Sequence, residues 1–136
     1  MNKLREFDMK TIQIINAFEE ITGTEVRDCI PCEEKIYFLV NEGKAALAIG
    51  KGGKRVQTAE QLLGKQIRVL EFNENIEKFI KSLIPMADKI EIRGNVANVT
   101  VNGKKRGAVI GKGGENIKIL RDILSRNSEL EDLKVV

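Results

Sequence analysis

Histidine and tryptophan are absent from this sequence of 136 residues, and tyrosine occurs once. Without histidine, the commonest general base and a common metal ligand are missing. The carboxylates are dispersed and no nucleophile stands beside a base, so we expect no enzymatic activity. Aromatic rings are few, and Phe18, Phe38 and Phe79 stand at core spacing, which argues against an aromatic stacking platform for nucleobases.

Cysteine is also rare, with only Cys29 and Cys32 in the chain. A zinc site needs four ligands, and the chain offers no histidine and no third cysteine. A thioredoxin-like pair would begin a helix, whereas this pair precedes the β-rich run 36–40. We therefore predict a turn between two strands, with no metal and no cofactor, and a redox role for the pair stays open.

Long apolar runs are missing as well. The longest, 36–40 and 45–49, cover five residues each, far short of the ~20 that span a bilayer. The amino terminus shows no hydrophobic segment of the signal-peptide kind. We therefore expect a cytoplasmic protein that does not contact membranes.

The charges are divided unevenly between the two halves of the chain, whose net charge is +3. Residues 1–73 carry 11 basic and 11 acidic side chains, and residues 74–136 carry 12 and 9. The first half is therefore neutral and the second half has the whole excess. If the partner is an anion, we expect the second half to attract it more strongly.

An internal repeat with an offset of 61 residues organises the chain: 48–53 reads AIGKGG and 109–114 reads VIGKGG. A strand-like alternation precedes each copy and an apolar helical stripe follows it. A further helix starts each copy, capped by Asp8 in the first and by Asn73 in the second. The pattern predicts two domains, 1–73 and 74–136, each with the order α-β-β-α-α-β.

The glycine loop between two helices leaves the backbone open to close approach. The following helix offers free N–H groups and a positive dipole end, which favour an anion such as phosphate. A P-loop is excluded because Ala45 and Gly52 stand where its first glycine and its Ser or Thr belong. A dinucleotide fingerprint would need glycine at Arg55 or Asn116. What remains is the G-x-x-G loop, which in KH domains clamps about four nucleotides.

Segments 48–56, 62–65 and 109–117 resemble the tandem KH pair of archaeal NusA-like transcription factors, and the resemblance covers nearly the whole chain. It implies an α+β fold of two type II KH domains, each a three-stranded sheet with helices on one face. It also implies that RNA lies in the groove beside the loop, and that the protein acts in transcription elongation or termination. RNA polymerase would be a further partner. The bacterial relatives carry a polymerase-binding domain and an S1 domain, for which there is no room here, so the route to the polymerase is open.

The residues expected to bind single-stranded RNA lie in and beside the two loops. The isoleucines are expected to touch bases, and Lys104 to Arg106 are read either as a solvated turn or as a patch that attracts phosphates. The full set is Ile49, Gly50, Lys51, Gly52, Gly53, Lys54 and Arg55 in the first copy, and Lys104, Lys105, Arg106, Ile110, Gly111, Lys112, Gly113, Gly114 and Asn116 in the second.

Two other classes of protein carry such domains. One is a structural ribosomal or ribosome-assembly protein, but the small net charge and the lack of basic tails favour a dissociable factor. The other is a protein-binding module that has lost RNA binding, and the lysines kept in both loops argue against it. We expect a monomer.

Overall fold

Two units of the same architecture follow one another along the chain. In the computed structural model, which describes residues 7–136, the first unit ends at Asn73 and the second begins at Glu74. The predicted start of the first domain at residue 1 lies outside the described residues. The first unit contains α1 (Met9–Thr22), β1 (Val26–Pro31), β2 (Lys35–Val40), α2 (Ala45–Ile49), a 3-10 turn (Lys51–Gly53), α3 (Lys54–Leu63) and β3 (Gln66–Glu71). The second contains α4 (Ile76–Leu83), β4 (Ala87–Arg93), β5 (Val96–Val101), α5 (Gly103–Ile110), a 3-10 turn (Lys112–Gly114), α6 (Glu115–Arg126) and β6 (Asp132–Val135).

Each unit has a three-stranded sheet whose central strand is the second one. β2 pairs antiparallel with β1 and parallel with β3, and β5 does the same with β4 and β6. The antiparallel ladder has an irregularity after Val26 in the first unit and after Ala87 in the second, 61 residues later. The predicted order of elements and the α+β fold are confirmed.

The apolar patterns identified in the sequence form the two cores. In the first unit, the ring of Phe18 on α1 stacks on that of Phe38 on β2, with centroids 3.9 Å apart. Both side chains are fully buried, and burying a large apolar side chain contributes about 1.5–3 kcal/mol. The same cluster contains Cys29, Ile36, Val40, Ala48 and Ala59. The buried side chains of the second unit include Phe79, Ile80, Leu83, Val99, Leu120, Ile123, Leu124 and Leu133.

The helix caps confirm one prediction and correct another. Asp8 caps α1, where its carboxylate accepts the N–H of Thr11 at 2.7 Å, and this hydrogen bond lowers the pKa of Asp8. The predicted cap of α4, Asn73, is wrong. Asn75 stands next to the helix and accepts the N–H of Lys78 at 3.0 Å. The side-chain amide of Asn73 instead donates to the carboxylate of Glu42.

Two sequence segments lie in other elements than expected. Lys104 to Arg106 form the first turn of α5 and not a turn before it, because Asn102 caps the helix by accepting the N–H of Lys104 at 2.9 Å. Cys29 lies inside β1 and is buried in the core, whereas Cys32 follows the strand in the turn before β2. Among residues 7–136 there is no group of three side chains that could hold a metal ion.

Helix length also bears on membrane insertion. Within the described part of the chain, no helix is both long enough and apolar enough to cross a bilayer.

Candidate nucleic-acid interface

Both glycine loops have the same backbone conformation. In 50–53 the three glycines have φ of +81°, +64° and +76°, and in 111–114 they have +77°, +64° and +76°. L-amino acids with a side chain rarely adopt positive φ, so the turn favours glycine at each place. The two sites are therefore built as copies of one another.

The first glycine of each loop is required for packing within the protein. A Cβ on Gly50 would lie 2.8 Å from Cγ of Arg55, and one on Gly111 would lie 2.7 Å from Cβ of Asn116. Nonbonded carbon atoms prefer separations of about 3.5–4.0 Å. The missing side chain thus lets the helix after the loop pack against the turn.

The third position of each loop faces open space. A Cβ on Gly52 or Gly113 would meet no atom within 4 Å. The neighbouring side chains of Lys51 and Lys112 are exposed. A ligand can therefore approach the polypeptide backbone closely beside a positive charge.

The helix after each loop begins without a side-chain cap. The residues before α3 and α6 are Gly53 and Gly114, and neither makes a side-chain hydrogen bond there. Helix N-terminal N–H groups carry a partial positive charge and attract anions. The two helices differ in their first residue, which is the cation Lys54 in α3 and the anion Glu115 in α6.

Arg55 and Asn116 occupy corresponding positions and donate hydrogen bonds to the protein. Nη1 of Arg55 donates to the carbonyl oxygens of Thr22 and Leu47, at 3.1 Å each. Nδ2 of Asn116 donates to the carbonyl oxygen of Val109 at 2.7 Å. The sequence predicts both as RNA ligands, but the structure directs these donor atoms to the helices that precede the loops.

The remaining predicted ligands lie on the helices that lead into the loops. Lys104, Lys105 and Arg106 are exposed on α5. At the end of α2, Ile49 exposes 38% of its surface, while Ile110 at the end of α5 is half-buried. Sequence reasoning missed Leu47, which is 44% exposed on α2. The signal that could have identified Leu47 is its apolar side chain, two residues before Ile49, which the sequence predicts to contact bases.

An open cleft of about 950 Å³ lies beside α3 in the first unit. Gln57 lines this cleft and also lies near the loop, since its Nε2 is 4.0 Å from the place that a Cβ on Gly53 would occupy. Lys65 lies in the turn between α3 and β3, and its Nζ donates to the carbonyl oxygen of Cys32 in the turn between β1 and β2, at 2.8 Å. This hydrogen bond connects the two turns. Burial lowers the pKa of the Arg68 guanidinium in this cleft. Polar lining side chains that sequence reasoning missed are Glu33, Glu34, Lys35, Gln57, Glu60, Gln61, Lys65, Gln66 and Arg68.

The repeated unit is found in other proteins. The KH domain family model matches residues 12–84 and again residues 71–136. A crystal structure of APE1850 superposes with a TM-score of 0.75 at 32% identity, covering 96% of this chain and 100% of that one. The class of protein that the fold and loops define is therefore the tandem KH protein.

Relatives narrow the class further. A probable transcription termination protein NusA of Methanocaldococcus jannaschii is 33% identical over 92% of this chain and 72% of its own. The Methanococcus vannielii protein of that name is 36% identical over 96% and 79%. The one from Thermoplasma acidophilum is 29% identical over 94% and 93%. The chain belongs to the archaeal NusA-like family of KH domain proteins, which confirms the predicted resemblance.

Proposed function

We propose that this protein binds single-stranded RNA through its two Gly-Lys-Gly-Gly loops and acts on nascent transcripts as an elongation or termination factor. The observation that carries the proposal is the open space above Gly52 and Gly113. In both places a lysine and an uncapped helix N-terminus stand beside that space. This combination suits the phosphate backbone of a nucleic acid.

The RNA backbone would lie against the loop and its bases would enter the neighbouring cleft. Carboxylates and carboxamides such as Glu34 and Gln61 offer hydrogen bonds to base edges there. Ile49 and Leu47 offer exposed apolar surface at the end of α2. The cleft is lined by three carboxylates and three cations, so its charges balance. We therefore assign it the selection of bases, and we assign the attraction for phosphate to the loop.

The role in transcription is supported by the relatives, which are named as probable transcription termination proteins. RNA polymerase is the second partner that such a role requires. We take residues 1–73 and 74–136 as the two RNA-binding domains of a monomer. The backbone of 50–53 and 111–114 and the cations Lys51, Lys54 and Lys112 are the proposed contacts, with Lys104 to Arg106 as an added phosphate patch.

The RNA-binding proposal is tested by placing aspartates in the loops. Lys51→Asp with Gly52→Asp should abolish binding at the first site, because charge and bulk then occupy the open space. The fold should survive, since aspartate tolerates a left-handed backbone better than most residues. Titration of an unstructured RNA at fixed salt measures the effect. Unchanged affinity in a variant carrying these changes and also Lys112→Asp and Gly113→Asp would reject the loops as the binding sites.

A matched control exists at the other end of α2. Gly43 has φ of +80° with open space around it, and it precedes the exposed Lys44. Gly43→Asp with Lys44→Asp therefore makes the same chemical change outside the loop. Its RNA affinity should stay within about threefold of that of the wild type, because only the overall charge of the protein has changed. Equal losses in the control and the loop variant would attribute binding to net charge alone.

The role in transcription needs its own assay. With an archaeal RNA polymerase in a purified system, the protein should change the fraction of transcripts that end at a terminator. The variant with both loops replaced should lack this effect. A loop variant as active as the wild type would separate the activity from RNA binding and reject the proposed mechanism.

A further inference from the structure

We infer that Arg55 is a positioning residue, whose guanidinium holds the first glycine loop in its RNA-binding conformation by joining the carboxyl ends of α1 and α2. The inference rests on the proposed function, since the loop must bind RNA for its positioning to matter. It assigns Arg55 a task other than direct phosphate contact.

The guanidinium lies where two helices end. Thr22 is the last residue of α1 and is fully buried, and Leu47 stands in the single turn of α2 that leads to the loop. Carbonyl groups at the end of a helix lack partners within the helix and carry partial negative charge. One cationic nitrogen that donates to both carbonyls, at 3.1 Å each, fixes the end of α2 against α1.

The stem of the same side chain defines the start of the loop. Cβ and Cγ of Arg55 occupy the space where a side chain on Gly50 would stand. Gly50 has φ of +81° and ψ of 166°, a conformation that only glycine adopts readily. Arg55 therefore contacts the first residue of the loop through its aliphatic carbons and the preceding helices through its guanidinium group.

The second unit provides a natural comparison. Asn116 stands at the position of Arg55, packs against Gly111 in the same way, and donates to the carbonyl of Val109 in α5. Its amide is neutral and shorter than a guanidinium. The first loop is thus held by a charged group that reaches α1, and the second by a neutral group that reaches α5.

Salt dependence distinguishes positioning from phosphate contact. A side chain that neutralises a phosphate of single-stranded RNA contributes about 0.7 to the slope of log affinity against log salt. A positioning residue changes the affinity without changing that slope. The neighbouring Lys54 is exposed and serves as the matched control, because it stands beside the loop and is free of the helix contacts described for Arg55.

The RNA test uses the full chain with Lys112→Asp and Gly113→Asp, so that binding reports the first loop. In this background Arg55→Ala should lower affinity about tenfold, as expected for lost hydrogen bonds from a charged donor, and leave the slope unchanged. Lys54→Ala should lower the slope by about 0.7. A fall of the slope with Arg55→Ala, or unchanged affinity, would overturn the inference.

A second measurement needs no RNA, so its outcome is independent of the proposed function. Amide hydrogen exchange of 50–53 should accelerate in Arg55→Ala, while 111–114 in the same molecule should keep the wild-type rate. Arg55→Asn, which copies the second unit, should give an intermediate rate and replaces the alanine variant if that variant unfolds. Unaltered exchange in 50–53 would overturn the positioning role. If exchange accelerates but the wild type binds no RNA, only the proposed function fails.

Discussion

Glu60 and Arg121 occupy the same position in the two repeats and attach the same helix to the same strand with opposite polarity. Oε2 of Glu60 accepts the backbone N–H of Ile67 at 2.9 Å. Nε and Nη2 of Arg121 donate to the backbone carbonyl of Leu133 at 3.2 and 3.1 Å, and Nε also pairs with Asp132. Ile67 and Leu133 hold equivalent places in the two sheets, opposite residues 36 and 97. The contact between helix and closing strand is kept while its chemistry is reversed.

The first prediction follows from this reversal. Glu60→Ala should destabilise the first unit by about 1–2 kcal/mol, because the N–H of Ile67 loses its acceptor. Glu60→Gln should recover most of the loss, since an amide oxygen still accepts. Glu60→Arg, which copies the second unit, should cost more than alanine, because a donor then faces a donor. Urea unfolding and amide exchange at Ile67 rank the stabilities of the three variants. An arginine variant as stable as the glutamine variant would contradict the predicted ranking.

The second prediction separates two glycines of one loop. Gly50→Ala should destabilise the first unit by about 3 kcal/mol, because strain from positive φ adds to the contact with Arg55. Gly52→Asn should cost about 1 kcal/mol or less, since asparagine adopts the left-handed conformation at small cost. Its side chain nevertheless fills the open space, so RNA affinity at that loop should fall. Thermal unfolding measures the loss of stability in each variant, and RNA titration measures the loss of affinity.

The control for this pair is the second loop. Gly111→Ala and Gly113→Asn should repeat the pattern, because the φ values and the surrounding space match. A stability loss from Gly113→Asn as large as that from Gly111→Ala would show that the third position is also required by the fold.

The sequence allowed the order of elements to be predicted because the same hydrophobic periods occur twice. Phe18 and Phe38 illustrate this, since each falls on the apolar side of a regular pattern and both are buried. Asp8 was equally predictable, because a short acidic acceptor directly before an apolar helical stripe is a local signal. Such features depend on neighbours a few residues away.

What the sequence could not show depends on contacts between distant residues. Asn73 and Asn75 are both of a residue type that caps helices, but α4 begins at Ile76, so Asn75 is the cap. The amide of Asn73 donates to the carboxylate of Glu42, 31 residues away. The hydrogen bond from Arg55 to Thr22 spans 33 residues, so the sequence alone shows only a cation beside the loop. The cleft beside α3 likewise gathers residues from the β1–β2 turn and from β3, which sequence spacing does not bring together.

The third prediction concerns the cysteines. Cys32→Ser should leave stability and RNA affinity unchanged, because Cys32 lies partly exposed in a turn. Cys29→Ser should cost about 1–3 kcal/mol, since a hydroxyl replaces a thiol in an apolar core. Cys29→Ala should cost less than serine and keep RNA affinity. Stoichiometric zinc in the purified protein, or loss of binding with Cys32→Ser, would contradict the assignment of a structural role.

The last prediction concerns how the two halves share the attraction for RNA. The second half holds the net charge, and its exposed residues 104–106 lie on the helix that leads into the second loop. Locally the balance is closer, because Lys51 is followed by Lys54 in the first copy, whereas Lys112 is followed by Glu115 in the second. Since each neutralised phosphate contributes about 0.7 to the salt slope for single strands, the slope counts these contacts.

We expect the second half to contribute the larger part of the slope. Replacing residues 104–106 by alanines should lower it by about 2, which is three contacts at about 0.7 each. Glu115→Lys should raise it by about 0.7, because the carboxylate at the start of α6 is replaced by the cation found in α3. The loop variant at Lys112 should lower it more than the one at Lys51, and the intact chain should bind a long RNA more tightly than either loop variant. Salt titrations on one single-stranded RNA measure all four effects. Equal slopes for the two loop variants, or a larger loss of slope from the first loop, would reject the asymmetry.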